Sequence, residues 1–158
     1  MIVARLEKEK NIDLAIRAFD MVLKQNPKTG LVIFGEGRLL GSLKRLVSSL
    51  GIEGSVKFMG FAKDIYSAYR SSDCLLVTSS YEGYGMNIVE ASILGLPIVS
   101  TDVGVAREVG FFICLPKEID VFQKLQEILF LDKEDGSRAS ILLSKTDYYI
   151  SFKKTFLC

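Results

Sequence analysis

An excess of charge of either sign is missing from this chain: 20 Lys and Arg stand against 19 Asp and Glu across 158 residues, a net charge of +1. A nucleic-acid surface shows a basic excess, so no nucleic-acid partner is expected and any anion site must be local. Cysteines are few, only Cys74, Cys114 and Cys158, and none has the paired spacing of a zinc site or a redox motif. Reduced, mostly buried thiols are expected, and no metal site. No apolar run reaches the ~18 residues that a membrane-spanning helix needs. Met1-Ile2-Val3-Ala4-Arg5 lacks the layout of a signal peptide, which points to a cytoplasmic protein. Repeats, low-complexity tracts and long linkers are absent too.

What the chain does have is apolar content, 49% of its residues. A domain of this length buries about 68–70% of its unfolded surface, enough for a core that needs no disulfide or metal. Short apolar or β-branched runs at Ile2-Val3-Ala4, Leu31-Val32-Ile33-Phe34, Val56-Lys57-Phe58, Cys74-Leu75-Leu76-Val77, Pro97-Ile98-Val99 and Phe111-Phe112-Ile113-Cys114 read as strands buried on both faces. Helical spacing fills the gaps. Asn11 is placed to cap a helix carrying Ile12, Ala15, Ile16, Phe19, Val22 and Leu23 inward and ending before Asn26-Pro27. Leu39 to Leu50 repeats the pattern up to a C-cap at Gly51, and Asp64 to Ser71, Asn87 to Leu94 and Val121 to Leu131 supply further crossovers. Alternating β and α units give an α/β class: a Rossmann-like open parallel sheet with helices on both faces. Ligands of such sheets lie at the carboxyl ends of the strands. The expected division is a nucleotide-binding domain over 1–135 and a helical tail over 136–158.

Polar residues gather at those strand ends. Arg5 follows the first strand and Lys10 opens the first helix, so both can reach one phosphate pair; the mixed run Glu7-Lys8-Glu9-Lys10 also fits a plain solvated loop. Gly35-Glu36-Gly37 is a tight turn, with Leu40 where a third glycine would complete a dinucleotide fingerprint. Gly60-Phe61 offers a backbone edge and an apolar face for a base, or simple packing. The richest stretch is Ser79-Ser80-Tyr81-Glu82-Gly83-Tyr84-Gly85-Met86-Asn87-Ile88-Val89-Glu90-Ala91, which sets two carboxylates with seven residues between them around a glycine-bracketed turn into a helix. Helix-start amides attract a diphosphate, and glycines let the backbone approach it. Glu82 and Glu90 then remain to accept hydrogen bonds from sugar and ribose hydroxyls. Each carboxylate taken alone also fits a helix start that complements the macrodipole.

The ordered set of Arg5-Leu6, Lys10-Asn11, Gly35-Glu36-Gly37, Phe58-Met59-Gly60-Phe61, Asp73, Ser79-Ser80, Glu82 through Glu90 and Gly95 through Gly104 resembles the C-terminal, sugar-nucleotide-binding domain of family-4 (group 1) GT-B glycosyltransferases. It covers about residues 1 to 110. The resemblance implies that Arg5 and Lys10 neutralise the donor diphosphate and stabilise the departing nucleoside diphosphate, doing the work that a metal does elsewhere. It implies that Glu82 holds the donor sugar, that Glu90 holds the ribose, and that Gly83, Gly85, Met86, Asn87 and Ile88 meet phosphate and sugar oxygens, with Phe61 near the base. Retaining transfer from a nucleoside-diphosphate sugar to a glycan or lipid-linked acceptor follows, in cell-envelope polysaccharide synthesis, with no prosthetic group.

Members of that family pair two Rossmann-like halves around the active site, so the resemblance also implies a partner: an acceptor-type N-terminal domain, in cis or in trans, without which activity is expected to be incomplete. A histidine often seen in that other half has no counterpart, since this chain has none. Ala4 stands where Gly is common and Tyr84 where Phe is common, and Glu108-Val109-Gly110 runs directly into Phe111-Phe112 where a longer loop is usual. Tyr148 to Leu157 reads as an aromatic amphipathic helix, either a membrane-peripheral contact or a terminal helix packed on the other domain. Two alternatives stand beside the transferase: a noncatalytic nucleotide-sugar-binding or scaffold subunit, and a sugar-nucleotide epimerase, which the Glu82–Glu90 segment fits less well.

Overall fold

The computed structural model describes residues 1–109 and 112–134. The tail expected over 136–158, with its aromatic stretch, and Cys158 lie outside the described residues, as does the junction at 110–111. The elements run β1 (Ile2–Val3), a 3-10 turn (Lys8–Lys10), α1 (Ile12–Gln25), β2 (Leu31–Phe34), α2 (Leu40–Leu50), β3 (Val56–Gly60), α3 (Ile65–Arg70), β4 (Leu75–Val77), α4 (Met86–Ile93), β5 (Ile98–Thr101), β6 (Phe112–Cys114) and α5 (Glu118–Glu134). Among the described residues the strand pairs are parallel, in two runs ordered β1-β2-β3 and β4-β5-β6.

The two runs meet at β1 and β4. The Leu76 amide donates to the Met1 carbonyl at 2.8 Å and the Met1 amine to the Cys74 carbonyl at 2.6 Å, the alternation of a parallel ladder. The strand order is therefore 3-2-1-4-5-6, and the direction of winding reverses between β1 and β4. That reversal opens a crevice at the carboxyl ends of these two strands, where α/β sheets bind their ligands.

Side-chain alternation along the strands builds a core on each face. Ile2, Leu31, Ile33, Leu76 and Val99 face α1, α2 and α5, where Ile12, Ile16, Phe19, Leu43, Val47 and Val121 close over them. Leu75, Val77 and Ile98 point the other way, onto Tyr69 of α3 and Ile88, Val89 and Ala91 of α4. Each fully buried Ile or Leu contributes roughly 1.5–3 kcal/mol. Helices on both faces of a parallel sheet are what the apolar strands require.

Two local expectations change, the cap of α1 and the start of α5. Asn11 stands at the N-terminus of α1 but makes no side-chain cap; its backbone is left-handed, φ 45° and ψ 42°, because the chain must turn out of the 3-10 segment into the helix. A short polar side chain tolerates that conformation better than a branched one. On α4 the buried places go to Ile88, Val89, Ala91 and Ser92, while Ile93 is exposed. α5 begins at Glu118, earlier than Val121. Asp64 caps α3, its carboxylate accepting the Ser67 amide at 3.1 Å, and Gly51 ends α2 in a left-handed turn, as expected.

Candidate active site

Two loops frame the crevice: residues 4–11 after β1 and residues 78–85 after β4. The first is set by β2. Ala4 and Leu6 donate their amides to the Phe34 and Glu36 carbonyls at 3.0 and 2.8 Å, bringing the chains so close that a Cβ on Gly35 would overlap the Ala4 carbonyl oxygen. Gly35-Glu36-Gly37 thus acts on the position of the Arg5 loop. The second loop is tied to the first. The Thr78 hydroxyl donates to the Lys10 and Asn11 carbonyls at 3.1 and 2.9 Å, and the Ser80 amide donates to the Glu9 carbonyl at 2.8 Å. The 78–85 loop also leans on β5. Thr101 Oγ1 donates to the Ser79 carbonyl at 2.6 Å, and the Val105 amide donates to the Tyr84 carbonyl at 3.0 Å.

This bracing brings Lys10 and Glu82 together. Lys10 Nζ lies 2.7 Å from Glu82 Oε2, with the two side chains only 11% and 12% exposed. Ser79 Oγ donates to the other oxygen, Oε1, at 2.7 Å. Both carboxylate oxygens are therefore oriented, and two Lys10 protons stay available to an anion. Arg5, by contrast, is 74% exposed and meets Glu9 at 3.2 Å. An exposed pair of that kind holds weakly, so the guanidinium can turn to a phosphate at little cost.

Gly85 opens α4 with φ 91°, and Met86 and Asn87 follow in its first turn. The Asn87 amide group donates to the Val3 carbonyl at 3.0 Å, fixing the start of α4 against β1. The Ile88 amide already donates to the Gly85 carbonyl and to Asn87 Oδ1, both at 2.9 Å. The first-turn amides of Met86 and Asn87 are the ones best placed for an anion. Glu90, one turn further, accepts the Tyr69 hydroxyl on Oε2 at 3.0 Å. Gly83 is exposed on the loop. Phe61, just beyond β3, is 78% exposed, so it projects from the surface and does not pack into the core.

Three supporting residues carry contacts that the motif alone does not assign. Ser79 and Thr78 are buried hydroxyls at the end of a buried strand, and such a placement is itself a signal, because a hydroxyl there must find a partner. Tyr69 carries no comparable mark; its contact with Glu90 exists only once α3 and α4 pack. A cavity of about 270 Å³ lies elsewhere, at the amino ends of the strands, lined by Phe19, Leu31, Cys74, Leu125 and Ile128 among others. It shares none of the charged residues of the crevice. Among the described residues no cluster of His, Cys, Asp or Glu is arranged to hold a metal ion, and no helix is long and apolar enough to cross a membrane.

Residues 1–111 match the family model described as glycosyl transferases group 1. The poly(glycerol-phosphate) alpha-glucosyltransferase of Bacillus subtilis (strain 168) is 30% identical over 102 residues, which is 65% of this chain and 15% of that protein. A crystal structure of Anabaena HepE in complex with UDP is similar with a TM-score of 0.75 at 26% identity, covering 96% of this chain and 44% of that one. The C-terminal domain of LpcC, a group 1 family protein from Francisella tularensis, is similar in fold with a TM-score of 0.79 at 23% identity, covering 98% of this chain and 84% of that one. The chain spans 15–28% of the length of the first four curated relatives it matches.

Proposed function

This chain belongs to the glycosyl transferases group 1 family, and we propose that it is the donor-binding half of a retaining glycosyltransferase that takes its sugar from a nucleoside-diphosphate sugar. The observation that carries the reading is the largely shielded Lys10–Glu82 pair at the switch point of the sheet. A cation and a carboxylate side by side support a phosphate contact at Lys10 next to a sugar contact at Glu82. Arg5 and the two free protons of Lys10 bind the diphosphate, helped by the Met86 and Asn87 amides and the positive end of α4. Glu82, oriented by Ser79 and Lys10, accepts donor-sugar hydroxyls; Gly83 and Gly85 let the loop approach them. Glu90 accepts the ribose hydroxyls, and Phe61 covers one face of the base.

Transfer breaks the bond between the anomeric carbon and the terminal phosphate oxygen, whose electron pair leaves with the diphosphate. Arg5 and Lys10 stabilise that charge, and preorganised cations of this sort do so without reorganising at the moment of reaction. The acceptor hydroxyl attacks from the face the leaving group vacates, its proton passing to the departing phosphate, so configuration is retained. No metal is required. An acceptor-type domain, in cis or in trans, supplies the acceptor, a glycan or lipid-linked hydroxyl, and shuts out water. The partial coverage of the relatives supports that division of labour, in the cytoplasm or at its membrane face.

Calorimetric titration of the 158-residue chain with UDP in EDTA is the test. Binding should persist in chelator and fall at least tenfold in Arg5→Ala and Lys10→Ala, the loss of a charged hydrogen bond being roughly 1.5–3 kcal/mol. Binding that disappears in EDTA and returns with magnesium, or that ignores both substitutions, would overturn the reading.

A further inference from the structure

Glu90 is a long side chain on the open side of α4, yet its carboxylate is held. Tyr69, the penultimate residue of α3, is 1% exposed and packs in the core with Leu75, Ile88 and Ile98. Its hydroxyl reaches out of that core to Glu90 Oε2 at 3.0 Å. A buried phenol hydroxyl must find a partner, and among the described residues the Glu90 carboxylate is the one it meets. The ring cannot wander, because it is embedded in apolar side chains and α3 is pinned at its start by the Asp64 cap. Burial, and after it the neighbouring Glu90 charge, push the phenol well above its ordinary pKa, so it remains a donor at any working pH.

We propose that Tyr69 is a positioning residue for the ribose subsite: by holding Oε2 it fixes the Glu90 rotamer and leaves Oε1 to accept the ribose hydroxyls. The inference rests on the assignment of Glu90 to ribose made above. A glutamate free to rotate would have to be ordered by each incoming ligand, and that ordering weakens binding. A glutamate ordered beforehand by the protein avoids the loss. The effect must therefore appear only with ligands that have the hydroxyls to use it.

The test compares UDP with 2′,3′-dideoxyuridine diphosphate by calorimetry on the wild-type chain, Tyr69→Phe, Glu90→Ala and the double variant. Tyr69→Phe should lower UDP affinity roughly three- to tenfold while the dideoxy nucleotide keeps its affinity within about twofold, a control that also reports an intact site. In the Glu90→Ala background the Tyr69 change should do nothing further. Equal losses for both nucleotides, or no loss for UDP, would overturn the positioning role and leave the ribose assignment standing. A wild-type chain that binds both nucleotides equally would overturn the ribose assignment, and the inference with it.

Discussion

Replacing Lys10 by methionine keeps most of the unbranched apolar stem and removes the charged end, so it probes the ion pair with Glu82. At 2.7 Å and an effective dielectric near 20, the gross attraction is about 6 kcal/mol. Most of that is offset by the desolvation of two side chains that are nearly nine-tenths buried. Removal of one partner is a different matter, because it strands the other charge: Glu82 would keep only the Ser79 hydroxyl. Breaking a buried pair typically costs about 3–5 kcal/mol. The residual exposure puts this case at the lower end, about 3 kcal/mol, or roughly a 6–12 °C fall in Tm for a domain of this size. Glu82→Gln should destabilise similarly. The double variant Lys10→Met/Glu82→Gln should lose markedly less than the sum, with a coupling of about 2 kcal/mol. Urea unfolding of the four proteins measures the cycle, and because the pair is shielded the coupling should change little between low and high salt. Single losses below about 0.5 kcal/mol that simply add would show that the pair behaves as an exposed one, and the argument from its burial would fail.

Glu90→Ala should weaken UDP binding by roughly 1.5–3 kcal/mol and Glu82→Ala much less, since a nucleotide without its sugar does not reach Glu82; equal losses in calorimetry would mean the two roles are misassigned. Gly104→Ala should loosen the site at a distance. Gly104 has φ 52° and a Cβ there would overlap the Tyr84 carbonyl oxygen, so a stability loss of about 1–3 kcal/mol should come with weaker donor binding, whereas unchanged melting and affinity would refute the close approach. Burial pushes the Cys114 thiol up to about 12 and the Cys74 thiol to about 11, from 9.0. The folded chain therefore holds those protons more tightly, and the stability this gives is complete below pH 9 and lost as the pH rises from 9 toward 12. Urea midpoints should fall over that window and fall less in Cys114→Ala; a flat or rising profile would contradict the burial.

Much of the fold could be read from spacing alone. Of the α1 residues that recur every three or four positions, Ile12, Ala15, Ile16, Phe19 and Val22 end up buried, and the four-residue β2 run is unmistakable against its polar flanks. The start of α5 was missed because Lys117, Glu118 and Asp120 carry no apolar period there; Asp120 instead uses its carboxylate to accept the Leu115 amide. Within the site, the residue types at the strand ends were legible, and their partnerships were not. Arg5, Lys10 and Glu82 stood out as charges at the right ends of strands, but nothing in the order of residues says that Lys10 bonds to Glu82 across 71 intervening positions, or that Tyr69 holds Glu90. Those pairings are decided by which strand lies beside which, a property of the packed sheet.

The bonds that tie the loop after β4 and the start of α4 to β1 and its loop have a kinetic consequence. Thr78 to Lys10 and Asn87 to Val3 close segments of 68 and 84 residues, whereas each strand-helix-strand unit on either side closes a loop of about half that length or less. Longer closures cost more entropy and come later. The two three-stranded halves can therefore assemble early and separately, and the crevice, made of one loop from each, exists only once they dock. Nucleotide capture during refolding would report that docking step alone. A fluorescent UDP analogue should light up after the helical signal is complete, lagging it by the time the two halves take to find their common edge.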